Sequence, residues 1–427
     1  MDCGIKAHEK ISYAAEQGID FIVCDHHLPG DSLPEAYAIL DPKQEDCSYP
    51  FKELSGCGVG YKLMEALAIQ ENLSPGKLLD KLDILAVSIC ADLVPIVEEN
   101  RLFTHYGLKK LNTDPLPGFK AMLSTAKIKR KELNVTDVVF TLAPRINAAG
   151  RMESGKKAVD VMLSKELAEA EISSLSIDEN NMDRKALDQA ITSEALAMIE
   201  ADQNLVKRKT TVLYKEGWHK GVIGIVASRC IETYYRPTII FSKSNGKLAG
   251  SARSVKGFNV YEALLQCESL LEQFGGHKYA AGMTMLEENF SAFQQKFEEV
   301  VASSIPEELL TPEIEIDAEL EISDINPKFY QILKQFAPFG PGNRKPVFLS
   351  TGVLDKGFAR VVGSNHLKLD IQSSVAGQAI AAIGFNLGHH LETVAAGKSF
   401  DIAYSVEENE WNGVVSLQLN IKDIRPN

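Results

Sequence analysis

Up to residue 163 the chain alternates short apolar runs with longer stretches of helical periodicity. Residues 7–17 place Ile11, Ala14 and Ala15 on one helical face, and Gly18 stops the helix. Residues 20–24 form an apolar run suited to a strand buried on both faces, and residues 37–40 read as a second strand ending at Asp41-Pro42. Residues 58–70 and 76–90 read as helices. This rhythm predicts a parallel sheet covered by helices. From Ser164, a candidate N-cap, to Ala201 there is neither proline nor glycine, which predicts one long helix acting as a rigid connector. Strand and helix then alternate to residue 305, with strands at 210–214 and 238–241 and a helix at 226–234. Pro306 and Pro312 mark the next boundary. Beyond Glu313 the pattern gives strands at 314–322, 347–353, 367–371, 375–382, 400–406 and 414–424, a short helix at 328–336, and a turn at Trp411-Asn412-Gly413. Short strands joined by such turns favour a small β-barrel or sandwich. No repeat or low-complexity segment interrupts the chain.

Composition narrows the class. A chain of 427 residues with 24% charged and 45% hydrophobic side chains can build two to four domains and is not disordered. No apolar run reaches the length of a membrane span; Asp92 breaks the best candidate, residues 84–97. The first residues carry no signal-peptide pattern. Seven cysteines without a C-x-x-C pair fit neither a disulfide framework nor a zinc site, and Cys3, Cys24, Cys57 and Cys90 take no chemical role. These features predict a soluble cytoplasmic protein. A net charge of −13 weighs against a protein that merely coats nucleic acid, but not against a nuclease that gathers carboxylates around metal ions.

The most informative cluster is Asp25-His26-His27, directly after an apolar strand, where ligands gather at the carboxyl ends of parallel strands. An ordinary solvated loop is the plain alternative. Asp2, ahead of the first helix, and Asp92, after the apolar stretch 85–90, would each be a cap or turn residue alone. With Asp25 and His26 they make a mixed oxygen and nitrogen set suited to Mn²⁺ or Mg²⁺ rather than structural zinc.

These residues resemble the signature of the DHH phosphoesterase family, in its RecJ-type branch of single-strand-specific exonucleases. The resemblance spans essentially the whole chain. It rests on Val23-Cys24-Asp25-His26-His27, Leu54-Ser-Gly-Cys-Gly-Val-Gly-Tyr-Lys62, Ala91-Asp92-Leu93-Val94-Pro95 and Pro144-Arg-Ile-Asn-Ala-Ala-Gly-Arg-Met152. It continues through Trp218-His-Lys-Gly-Val-Ile-Gly-Ile-Val-Ala-Ser-Arg229, Gly250-Ser-Ala-Arg-Ser254, Phe274-Gly-Gly-His277 and Pro338-Phe-Gly-Pro-Gly-Asn343. It implies an α/β architecture: a parallel-sheet DHH domain at 1–163, a connector helix at 164–206, a DHHA1-type α/β domain at 207–305 and an OB-like β-barrel at 311–427. The implied activity is metal-dependent 5′-to-3′ hydrolysis of single-stranded DNA to mononucleotides, in repair and recombination, with other repair proteins as possible partners and no membrane role. Asp2, Asp25, His26 and Asp92 would be metal ligands in a two-metal site, and His27 would act at the phosphate. The family also carries an earlier Asp-x-Asp strand, which is not found before Asp2. The chain is therefore expected to be N-terminally incomplete, with reduced activity. The alternatives are a phosphodiesterase of short oligonucleotides or cyclic dinucleotides and a non-catalytic single-strand binder.

Physical reasoning assigns phosphate handling to a further set. Gly275 and Gly276 let backbone approach a ligand beside His277, although a glycine turn with a core histidine explains them equally well. Ser251 and Arg253 offer a hydroxyl and a forked guanidinium suited to a terminal phosphate. Arg145 and Arg151 would add positive charge, where isolated arginines more often form surface ion pairs. Gly56-Cys57-Gly58-Val59-Gly60 lacks dinucleotide-loop spacing and reads as a structural helix start. Lys127-Ile-Lys-Arg-Lys131 is the densest basic run, read as a solvated face.

Overall fold

The computed structural model describes residues 1–74, 76–128, 132–373, 379–395 and 397–427. Lys129, Arg130 and Lys131 of the basic run, and residues 375–378 of an expected strand, lie outside them. Contacts gather the chain into two units that are not contiguous in sequence. One comprises Met1–Leu116, Lys129–Ala143 and Ile314–Asn427; the other comprises Pro117–Ile128 and Pro144–Glu313. This grouping cuts across the expected linear order of domains.

In the first unit, strands β1 (Ile22–Cys24) and β2 (Ala38–Leu40) pair in parallel, with Cys24 opposite Leu40. Burial of β1 on both faces is seen only toward its end: Val23 and Cys24, which point to opposite faces, are buried, but Ile22 is 53% exposed. The helix Gly56–Gln70 packs against β1. That helix starts at the glycine run, where the Ser55 hydroxyl accepts the Gly58 N–H at 3.1 Å. Gly56 and Gly60 share one helical face, and a Cβ on either would collide with Asp2 or Met1, so the glycines admit the N-terminal segment. The helix expected at 76–90 is divided into Gly76–Leu79 and Leu82–Asp92.

Among the described residues the same unit also holds a seven-stranded sheet: β8 (Ala318–Glu319), β9 (Phe348–Asp355), β10 (Arg360–Val362), β11 (His366–Gln372), β12 (Ile380–Gly384), β13 (Phe400–Trp411) and β14 (Val414–Pro426). β9, β13, β14, β12 and β11 pair in turn, and β11 returns to β9, closing a five-stranded ring. The expected strand at 314–322 shrinks to β8. Asn412 and Gly413, both at positive φ, make the tight turn between β13 and β14. The Pro338–Asn343 segment is a docking turn within this unit: the Ile96 N–H donates to the Pro341 carbonyl at 2.7 Å, and Arg101 donates to the Gln335 carbonyl at 2.9 Å.

In the second unit a five-stranded sheet runs in the order β3 (Thr211–Tyr214), β4 (Thr238–Ser244), β5 (Lys247–Arg253), β7 (Ala280–Met285), β6 (Gln273–His277). Alternation along β4 sends Ile239 and Phe241 to a core with Phe293 and Phe297 of the helix Phe290–Ser304. Ile240 faces the other way, toward Val226 and Ala227 of the helix Ile223–Thr233 and Ile191, Ala195 and Ile199 of the long helix Leu167–Ala201. The long helix is thus packed into this unit rather than being a bare spacer. Ser164 does not cap it; its hydroxyl donates to the Asp160 carbonyl at 3.0 Å, closing the preceding helix. No helix among the described residues is long and apolar enough to cross a membrane.

Candidate active site

Asp25 and Asp41 begin the loops that leave the carboxyl ends of β1 and β2. Asp25 is 1% exposed, and its carboxylate is engaged on both oxygens. Oδ2 accepts the Ile5 N–H at 3.0 Å, and Oδ1 accepts the His26 N–H at 2.8 Å and Nδ1 of His27 at 2.8 Å. Burial pushes this carboxyl up, but the backbone donors and His27 together hold it below its ordinary value. Asp25 thus braces the loop and ties the His27 ring through Nδ1.

The brace leaves His26 aimed elsewhere. Its Nε2 lies 3.0 Å from Asp2 Oδ1 and 3.4 Å from Asp92 Oδ2. The ring is buried, yet neither nitrogen has a partner aligned for a hydrogen bond. Asp2 arrives from the N-terminal segment, with its N–H on the Cys24 carbonyl at 2.7 Å and a left-handed φ of 65°. Asp92 ends the helix Leu82–Asp92, where Leu93 at φ 57° turns the chain away. Side-chain ligand atoms of Asp2, His26 and His27 lie within 4.8 Å of one another.

Two carboxylates and an imidazole without a hydrogen bond form a donor set that fits a hard or borderline divalent cation. The Asp2 carboxylate raises the basicity of His26 against the effect of burial, so the imidazole is held toward its protonated form. Desolvation, partly offset by His26, raises the Asp92 carboxyl. A cation here would balance the charge of the two carboxylates. The structure therefore brings Asp2, His26 and Asp92 together with His27 alongside, and sets Asp25 beneath them. Sequence reasoning passed over Asp41, although it follows its strand as Asp25 follows β1.

The second unit carries the other predicted residues. Register places Ser251, Gly282 and Gly275 side by side across β5, β7 and β6, and Arg253, Ala280 and His277 in the next row. All six therefore share one face of the sheet. The helix Ile223–Thr233 covers the β4 side of that face, and its first turn meets the row at Gly224, where a Cβ would come within 2.8 Å of Arg253 and 2.9 Å of Ser251. Arg253 Nη1 donates to Ser251 Oγ at 3.0 Å, which fixes its guanidinium. Burial lowers the Arg253 pKa, and the nearby charge of Arg151 adds to this. Arg151 is itself placed by donation to the Gly221 carbonyl at 3.0 Å. Two arginines, a hydroxyl and a helix N-terminus make an anion-receptive corner. Gly275 opens onto empty space, as phosphate approach requires. Gly276 is different: at φ 152°, its Cβ would strike Ala281 on β7, so glycine is needed there for the fold. Arg145 is nearly buried and ion-paired with Asp178 at 2.7 Å. Gly282 and Gly224 complete this corner and were not singled out by sequence, because only the register reveals their position.

Three domain families match the chain: the DHH family N-terminal domain at 1–89, the DHHA1 domain at 207–303 and the RecJ OB domain at 316–423. The single-stranded-DNA-specific exonuclease RecJ of Bacillus subtilis is 38% identical over 99% of this chain and 53% of its own length. Its namesake from Salmonella typhimurium is 35% identical over 100% of this chain and 76% of its own length. The crystal structure of RecJ in complex with Mn²⁺ from Thermus thermophilus superposes with a TM-score of 0.86 at 30% identity, covering 100% of this chain and 61% of that one. The chain thus spans about half the length of the Bacillus relative. Taken with the order of the three domains, these matches show that the chain belongs to the RecJ family.

Proposed function

We propose that this chain is a metal-dependent exonuclease that hydrolyses single-stranded DNA from the 5′ end to mononucleotides, in cytoplasmic DNA repair and recombination. The observation that carries this reading is the convergence of Asp2, His26 and Asp92 around a buried imidazole without a hydrogen bond. The name shared by the relatives supports the substrate, and the Mn²⁺ and Mg²⁺ in the Thermus structures support the metal.

In this reading Asp2, His26 and Asp92 hold the cation, with Asp25 contributing by bracing the loop. A bound Mn²⁺ or Mg²⁺ supplies Lewis acidity at the scissile phosphate and its attacking water. With Asp25 accepting from Nδ1, a neutral His27 ring would carry its lone pair on Nε2 and could hold or pass a proton there. Ser251, Arg253 and Arg151 bind phosphate oxygens over the open floor at Gly275 and Gly282, with His277 at the edge. On the OB barrel, the exposed Phe385, 5.2 Å from His366, offers a base-stacking platform.

The test is digestion of 5′-phosphorylated single strands and matched duplexes with Mn²⁺, by the chain as given and by His26→Ala. Mononucleotide release from single strands by the parent chain, abolished by chelator and by the substitution, is the expected outcome. Equal release by both proteins, or none by either, overturns the reading.

A further inference from the structure

Asp41 is 2% exposed, and only half of its carboxylate is used. Oδ1 accepts the Lys43 N–H at 2.8 Å, an ordinary turn at the end of a strand. Oδ2 is buried without any hydrogen-bond partner. A second buried atom in the same state lies on the neighbouring loop, Nδ1 of His26. The two loops leave adjacent parallel strands in register: Cys24 is opposite Leu40, and the Asp25 N–H donates to the Leu40 carbonyl at 3.0 Å. Burial and the neighbouring Asp25 raise the Asp41 carboxyl, and the His26 imidazole acts against them, as the adjacency of the two loops requires. One orphan is an acceptor, and the other becomes a donor whenever Nε2 gives its lone pair to a cation, because the ring proton must then sit on Nδ1.

We propose that Asp41 is a positioning residue of the metal centre, accepting the Nδ1–H of His26 through Oδ2 and so holding Nε2 toward Asp2 and Asp92. A turn explains Oδ1 alone; it gives no reason to bury a carboxylate beside Asp25, where desolvation and like charge disfavour it. A hydrogen bond between the two orphans would satisfy both and give the carboxylate–histidine–metal arrangement.

The inference rests on the metal-centre reading, and the experiment separates the two. Mn²⁺ is titrated calorimetrically into the full chain, His26→Ala, Asp41→Asn and Asp41→Leu, with thermal unfolding as a check on folding. The ¹⁵N shifts of His26 are read in the metal-free protein at a pH where the ring is neutral. The proton should sit on Nδ1 in the parent chain. Asp41→Leu should weaken Mn²⁺ binding about 10–100-fold and redistribute that proton. Asp41→Asn, which keeps an acceptor oxygen, should restore the tautomer and most of the affinity. A parent-chain proton on Nε2, or Mn²⁺ binding in Asp41→Leu equal to the parent, overturns the proposal. If Asp41→Leu does not fold, the parent tautomer and the Asp41→Asn affinity decide. Loss of Mn²⁺ in His26→Ala alone leaves the metal centre standing and removes only the role of Asp41; equal binding by His26→Ala and the parent removes the metal centre itself.

Discussion

The proposed metal centre and the proposed phosphate corner both hold polar groups in fixed positions, but they do so by different means. At the proposed metal centre Asp2, His26 and Asp92 come from segments far apart in sequence, and a single buried carboxylate, Asp25, ties the loop that carries His26 and His27. At the phosphate corner the groups are neighbours through strand register, and the sheet itself sets their spacing. The first arrangement concentrates its dependence on a few atoms. The second spreads it over a ladder of backbone hydrogen bonds, so that each side chain adds a separable share. Substitution should therefore act abruptly in one region and by degrees in the other.

The largest effect is expected at His26. One convergence point predicts one tight Mn²⁺ equivalent by calorimetry, and His26→Ala should weaken it by roughly two orders of magnitude or more, since ligand loss exceeds the outer-shell range. Two tight equivalents would break the contrast. Gly276→Ala and Gly275→Ala sharpen it from the other side. The first forces a side chain into β7 at positive φ and should cost about 2–3 kcal/mol in chemical denaturation. The second should change stability by no more than about 0.5 kcal/mol while weakening binding of phosphorylated strands. Comparable destabilisation by both would mean that the ladder does not decide. Arg253→Ala should weaken binding to 5′-phosphorylated single strands by about 1.5–3 kcal/mol and leave Mn²⁺ titration unchanged. Equal losses for 5′-phosphate and 5′-hydroxyl strands would show that Arg253 does not read the end.

The smallest effect isolates bracing from metal binding. In the barrel Asp401 is buried, accepts the Gly352 N–H at 2.9 Å and pairs with Arg425 at 2.7 Å, away from any candidate ligand. Burial raises this carboxyl, but Arg425 and Gly352 outweigh it and hold it below its ordinary value. A depressed folded-state value means that its stabilisation is full above the unfolded carboxylate range near pH 4 and is lost as pH falls through the lower folded value. Because Arg425 is exposed, the contribution should be only about 1 kcal/mol. Unfolding free energies of the parent and Asp401→Asn should therefore converge at low pH; a constant gap would show that the pair does not contribute through ionisation.

Much of this was legible in sequence where chemistry is local. Asp25-His26-His27 follows its strand directly, and the tight turn at Asn412-Gly413 announces the β13–β14 hairpin. What escaped depends on partners distant in the chain. Nothing near Arg145 signals Asp178, and nothing near Gly276 tells whether its space is open or filled by Ala281. An apolar run cannot say where along it the cover ends, which is why Ile22 was expected to be buried with Val23 and Cys24. Asp25 carries the signature of a ligand, yet its brace role is written in the N–H groups of Ile5, His26 and His27 that converge on it.

The interleaving of the two units has a consequence for synthesis. Arg101 receives its carbonyl partner at Gln335 only after a further 234 residues have been made. At about 5–20 residues per second, that delay is roughly 10–50 s. Through it, the surface around Pro95 and Ile96 stays uncovered on the ribosome while the inserted unit is completed. Translation speed thus becomes a variable in the yield of folded protein, with slow codons in the insertion prolonging the exposure and rapid ones shortening it.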